Sequence, residues 1–214
     1  MSENQKRGYF IVFEGCDGCG KTTQTERLRA AIAEATGSPC VYEREPNERN
    51  AAGAIIRSGL YGGVKFLTES MAYLHVADRL EHIEFMLPVL ESGKSIVCDR
   101  YYLSNMAYNT TSRISMEDIY AMNRPCIDTL RPDLLVFLDV PTEVTKARRS
   151  KDRTDREIYD GDEKQARIRK NYLDAIDFLI KKGEKVIVID ASRDIDTVSA
   201  DIREKVFSAL SIGE

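Results

Sequence analysis

The chain has no long hydrophobic run, no surplus of one charge and no regular cysteine pattern, and each absence removes a class of protein. Uninterrupted apolar stretches are no longer than the one from Leu134 to Leu138, far short of the ~20 residues a bilayer-spanning helix needs. No membrane partner is therefore expected. The 31 Lys and Arg stand against 35 Asp and Glu, a formal charge of −4, which offers no bulk attraction to nucleic acid. The five cysteines are odd in number and scattered, so they read as free thiols in a reducing compartment. The opening segment Met1–Arg7 is polar and lacks the pattern of a signal or transit peptide, and the expected location is the cytoplasm. No internal repeat or low-complexity tract is visible.

What remains is ordinary globular material. Hydrophobic residues make up 43% and charged residues 31%, which excludes wholesale disorder. At 214 residues the chain can bury roughly 70% of its unfolded surface, and one domain over residues 1–214 is expected. Five short apolar runs read as strands: Tyr9–Phe13, a weak Cys40–Tyr42, Ser95–Cys98, Leu134–Leu138 and Val186–Ile189. Strands apolar at every position suit a parallel sheet covered on both faces. Segments of helical period lie between them, at about 21–36, 68–91, 115–130, 142–150, 162–182 and 194–210. This alternation predicts an α/β fold with helices on both faces of a five-stranded parallel sheet. Pro88 falls inside the 68–91 segment and predicts a kink or break near Leu87.

The strongest motif is Gly15-Cys16-Asp17-Gly18-Cys19-Gly20-Lys21-Thr22, a G-x-x-x-x-G-K-[ST] loop between a strand and a helix, which makes the fold of the P-loop NTPase type. Its glycines let successive N–H groups point at one anion, and the helix N-terminus adds positive potential. Lys21 can reach the β- and γ-phosphates, and the Thr22 hydroxyl can ligand Mg²⁺. Cys16 and Cys19 form a C-x-x-C, but there is no second such pair, and His75 and His82 are not spaced to complete a zinc site.

Three constellations narrow the reading. Asp99-Arg100-Tyr101 closes an apolar strand, where the carboxyl ends of strands line the ligand crevice. A carboxylate followed by arginine there can hold Mg²⁺ and a second phosphate side by side; a structural ion pair is the plainer alternative. From Lys146 to Arg156 run six cations and two acids with no apolar period, a candidate lid whose arginines would neutralise charge during phosphoryl transfer. A solvated helix end is the alternative there. His75 and Arg79 share a helix face and could stack on and hydrogen-bond to a base, or His75 could pack while Arg79 pairs with Glu91 or a surface acid.

At these residues the chain resembles the thymidylate kinase family, from Tyr9 to about Leu210. The matching stretches are Phe13 through Gln24, Arg44-Glu45-Pro46, Ala77-Asp78-Arg79, Asp99 through Tyr108, Arg131-Pro132-Asp133-Leu134 and Ile189-Asp190-Ala191-Ser192. The resemblance implies phosphorylation of dTMP to dTDP with ATP and Mg²⁺. Gly15, Cys16, Asp17, Gly18, Cys19, Gly20, Lys21, Thr22 and Thr23 would hold ATP, with Arg148 near adenine. Asp17 would also accept a hydrogen bond from the 3′-hydroxyl of the monophosphate. Arg100 would grip its phosphate, aided by Arg44, and Asp99 would join Thr22 on Mg²⁺. Arg79 would bind O4 of thymine, Asn105 would read a base edge, Tyr108 would lie near C2′, and Tyr159 near the nucleoside. The resemblance further implies a mobile lid over about 148–161 and a homodimer packed through helices, with helix 68–91 as the candidate surface.

Departures from the family pattern matter as well. His75 stands where many members carry phenylalanine. Gly18 follows the loop aspartate where many eukaryotic members have arginine, so lid arginines, Arg156 first and Arg153 second, would supply catalytic charge. Asn47-Glu48-Arg49-Asn50 replaces a glycine-rich run, which leaves open whether Arg44 or Arg49 faces the substrate. Other pyrimidine nucleotide or deoxynucleoside kinases are the nearest alternatives. A nucleotide-dependent switch is further away, because no guanine-reading N-K-x-D stretch is present.

Overall fold

The computed structural model describes residues 7–146 and 162–213. Its sheet has five parallel strands: β1 (Phe10–Glu14), β2 (Cys40–Arg44), β3 (Ser95–Asp99), β4 (Leu134–Asp139) and β5 (Val186–Asp190). They lie in the order β2-β3-β1-β4-β5, with Val12 of β1 between Cys98 of β3 and Leu135 of β4. The helices are α1 (Lys21–Thr36), α2 (Ala51–Leu60), α3 (Thr68–Glu91), α4 (Tyr102–Asn109), α5 (Met116–Met122), α6 (Arg124–Thr129), α7 (Asp162–Lys181) and α8 (Ile195–Leu210). Residues 142–146 are also helical. None of the described helices is long and apolar enough to cross a membrane.

Successive strand residues point to opposite faces, and the two cores follow from that alternation. Phe10, Val12, Ile96, Cys98, Leu135 and Phe137 face one layer. It is filled by Ile83 and Met86 of α3, Leu103 and Met106 of α4, Ile119 of α5, Ile127 of α6 and Tyr172 and Ile176 of α7. Ile11, Phe13, Val97, Leu134, Val136 and Leu138 face the other, against Leu28 and Ile32 of α1 and Val198, Ile202 and Val206 of α8. Continuous apolar strands are thus used on both sides.

Every expected strand is present, and each runs on to a charged residue at its carboxyl end: Glu14, Arg44, Asp99, Asp139 and Asp190. The segment expected as one helix over 115–130 is two, divided at Asn123, whose side-chain amide donates to the Ile119 carbonyl (2.8 Å). Pro88 does not break α3, which continues to Glu91. It removes one bond to the Glu84 carbonyl, and both residues are exposed, so water can serve that carbonyl. The candidate lid over 148–161 lies outside the described residues.

Helices α2 and α4 were not expected from the sequence. In α2 two glycines interrupt a short apolar pattern, and the signal is local: the Asn50 side chain accepts from the Gly53 amide (2.7 Å) as an N-cap. Gly53 is where α2 seats on the chain after β2. A Cβ there would lie 1.8 Å from the Asn47 carbonyl oxygen and 2.9 Å from a carboxylate oxygen of Asp78. Gly53→Ala should therefore lower the chemical-denaturation midpoint, by about 1–3 kcal/mol in stability; an unchanged midpoint would show that α2 can lift off freely.

Candidate active site

The loop after β1 turns on Gly15 (φ 148°), Gly18 (φ 82°) and Gly20 (φ 97°). At Gly15 a side chain would also clash, since a Cβ would sit 2.9 Å from the Leu138 carbonyl oxygen and 2.8 Å from Cys19 Sγ. No side chain caps α1, which leaves its first amide groups to an anion. Lys21 is buried and donates to the Gly15 carbonyl (3.0 Å). Its Nζ lies 3.9 Å from Asp99 Oδ1, a buried oxygen with no hydrogen-bond partner. Cys16 and Cys19 are buried free thiols, and burial, foremost among the causes, holds both above the ordinary thiol range.

Arg100 follows Asp99 in a left-handed conformation (φ 74°), fixed by its amide donating to the Phe13 carbonyl (2.9 Å). Its guanidinium donates to Asp17 (2.6 Å), Ser104 (3.1 Å), Tyr172 (3.1 Å) and Tyr108 (3.2 Å). Both residues have ionic neighbours within the protein: Arg100 pairs with Asp17 (2.6 Å), and Asp99 lies 3.9 Å from Lys21. Beneath this group lies Glu14, fully buried. It accepts from the backbone amides of Tyr101 (2.8 Å) and Ser104 (3.1 Å) and from the Ser104 hydroxyl (2.5 Å). A carboxylate at the end of β1 therefore caps α4 across the sheet. Burial pushes Glu14 up to about 7, against the opposing pull of Ser104 and Arg100.

On the far side of Arg100 a cleft with about 930 Å³ of empty space opens to solvent. It is lined by Asp17, Arg44, His75, Arg79, Arg100, Asn105 and Tyr108, residues contributed by the loop, β2, α3, the β3 end and α4. Arg44 lines it, whereas Arg49 pairs with Glu43 (2.7 Å) and stacks on Phe85 (4.3 Å); this settles which of the two faces the cleft. His75 is held near 4 by burial first and by Arg79 next, so a neutral imidazole stands among the arginines at pH 7. Arg79 pairs with neither Glu91 nor a surface acid. It is buried, donates to Glu45 (2.6 Å) and Asn123, and lies over the Tyr101 ring (4.8 Å). Asn105 is engaged too, donating to the Ala72 carbonyl (3.1 Å) and accepting from Asn109 (2.9 Å). Thr22 and Thr23 are exposed in the first turn of α1. Arg148, Arg153, Arg156 and Tyr159 lie outside the described residues.

Sequence reasoning missed Glu14, Glu45, Arg57 and Tyr172 as parts of the site. Arg57 of α2 lines the cleft and donates to the Asn47 carbonyl (2.7 Å). Glu14 had a readable signal, a carboxylate closing an apolar strand; Tyr172 had none beyond its place on an apolar helix face.

A parallel sheet, a phosphate loop at the end of its central strand and an arginine-lined cleft beside that loop define a P-loop nucleotide kinase. The chain belongs to the thymidylate kinase family: the family model described as thymidylate kinase matches residues 13–202. It is 37% identical to a thymidylate kinase of Bifidobacterium longum, over 93% of this chain and 97% of that one. It is 34% identical to a thymidylate kinase of Limosilactobacillus fermentum (93% and 94% covered). Identity to a probable thymidylate kinase of Pyrococcus abyssi is also 34% (92% and 94% covered).

The raised Glu14 value makes stability depend on pH. The folded state keeps a proton that the unfolded chain releases between 4.5 and about 7, so this contribution is present below 4.5 and is lost as pH rises through 7. Glu14→Gln removes the titration. The stability of wild type relative to Glu14→Gln should fall by about 1–3 kcal/mol from acid to pH 8, read from urea midpoints.

Proposed function

We infer that the chain transfers the terminal phosphoryl group of ATP to dTMP, giving dTDP and ADP. The observation that carries this reading is the position of Arg100 and Asp17: both line the cleft, Asp17 from within the phosphate loop and Arg100 bonded to it (2.6 Å). Loop amides and Lys21 hold the donor phosphates. Arg100, with Arg44, holds the acceptor phosphate, and Asp17 accepts from the 3′-hydroxyl. The acceptor oxygen is already ionised near neutral pH, so no general base is required.

His75 stacks on the pyrimidine as a neutral ring. Arg79 has N–H groups left beyond those used by Glu45 and Asn123, and these meet O4. Asn105 keeps one amide proton and one lone pair for a base edge. Tyr108 stays a protonated phenol, since burial raises its pKa, and its bulk disfavours a ribose hydroxyl. Arg156 and then Arg153 supply the charge that meets the moving phosphoryl group, and Arg148 borders adenine.

Among the described residues no group of three or more His, Cys, Asp or Glu forms a metal cage. Magnesium bound with a nucleotide takes only one or two protein ligands, and the buried Asp99 Oδ1, which has no hydrogen-bond partner among the described residues, together with the Thr22 hydroxyl fits that need. Bound there, Mg²⁺ would offset charge on the β- and γ-phosphate oxygens. Exposed Tyr73 and Leu80 on α3 support pairing of two copies through that helix. The buried, reduced cysteines suit the cytoplasm.

With ATP and Mg²⁺, coupled ADP release should rank dTMP above dUMP, with dCMP and thymidine poor. A preference for thymidine would replace the reading with a nucleoside kinase, and rapid hydrolysis without any acceptor would favour a switch. Arg156→Ala should lower kcat by about 10³-fold or more with little change in either KM; a pure KM effect would assign Arg156 to ground-state binding. Sedimentation should give twice the mass of one chain.

A further inference from the structure

A buried cluster adjoins the cleft where α3 meets the chain after β2, and the reaction just proposed does not use its histidine. His82 is one turn beyond Asp78 and Arg79 on α3, and its side chain is completely buried. Its Nε2 is 3.0 Å from Glu43 Oε2 and its Nδ1 is 3.4 Å from Glu45 Oε1. The same carboxylates take Arg49 (2.7 Å, on Glu43) and Arg79 (2.6 Å, on Glu45). Asp78 accepts from the Asn47 amide (2.9 Å). Cys98 on β3 and Tyr101 after it complete the surroundings as neutral groups, since burial holds both protonated.

A neutral imidazole has one N–H and one lone pair. With a carboxylate at each ring nitrogen, a lone pair would face a negative oxygen on one side. Only the imidazolium donates on both. We propose that His82 is a positioning residue which, as an imidazolium, pins Glu43 and Glu45 and so holds Arg44 and Arg79 in place for the acceptor nucleotide. Arg44 is the last residue of β2 and lies between the two pinned residues, so fixing its neighbours fixes the backbone that aims it. Arg79 takes its orientation from Glu45 directly.

This rests on the dTMP kinase reading for the meaning of the two arginines, but the charge on His82 does not. Burial opposes that charge, and the hydrogen bonds to Glu43 and Glu45 outweigh it, carrying the pKa from 6.5 up to about 9. The lock is therefore in place at neutral pH and is lost as pH rises through about 9.

His82→Gln and His82→Asn in the full chain should raise the KM for dTMP about tenfold or more, with kcat and the KM for ATP within about threefold of wild type. Above pH 9 the wild-type KM should climb toward the variants' value, while the variant-to-wild-type ratio shrinks. A purely structural role would lower melting temperature and active fraction and leave the dTMP KM unmoved, and that result overturns the proposal. Should neither variant fold, ¹⁵N spectra of the wild-type imidazoles decide. The chain has two histidines, and one of them should show both ring nitrogens protonated at pH 7 and titrate near 9. Two neutral rings at pH 7 would overturn it as well. Failure to phosphorylate any nucleotide would instead sink the assigned reaction, while the spectra still decide the charge on His82.

Discussion

The contact on which the site depends is the one between Glu14 and the start of α4. A carboxylate with no exposure would be costly if unpaired. Here it takes three donors from Tyr101 and Ser104, and in doing so closes the open end of a helix. The same hydroxyl and the Tyr172 phenol then meet the Arg100 guanidinium. The loop, the β3 end, α4 and α7 are thereby brought to one point, and the arginine that faces the cleft has its direction set before any substrate arrives. Preorganisation of this kind lowers the reorganisation needed during reaction.

Charge is distributed unevenly around that point. The cleft wall carries Arg44, Arg57, Arg79 and Arg100 and, of the acids, Asp17 and Glu45, while Glu14 and Glu43 are buried behind it. Anions are attracted to the open side, and the protein interior is not left with bare cations. On the wall itself the acids are paired, Asp17 with Arg100 (2.6 Å) and Glu45 with Arg79 (2.6 Å).

The strands were legible because a parallel sheet buried on both faces demands residues that are apolar at each successive position, and few other structures do. The phosphate loop was legible because its glycines answer to backbone geometry. Helix α4 was not, since its cap comes from Glu14, 90 residues away from Ser104, and local patterns carry no trace of such a partner. Arg79 shows the same limit. Its helix face could be read from spacing, but its partner Glu45, 34 residues earlier, could not. The choice between Arg44 and Arg49 turned on Glu43 and Phe85 claiming Arg49, a tertiary fact. Asp17, Arg44, His75, Arg79, Arg100, Asn105 and Tyr108 were named from motifs, but that one cavity gathers them is visible only once the chain is folded.

Arg100 carries a side chain at a backbone angle suited to glycine (φ 74°), a strain of roughly 1–3 kcal/mol. Glycine there would relieve that strain but would also discard the guanidinium and its bonds to Asp17, Ser104, Tyr172 and Tyr108. The contacts that aim the side chain are thus the ones that hold the strained angle in place, and a screen for heat resistance finds no simple gain from glycine at that position.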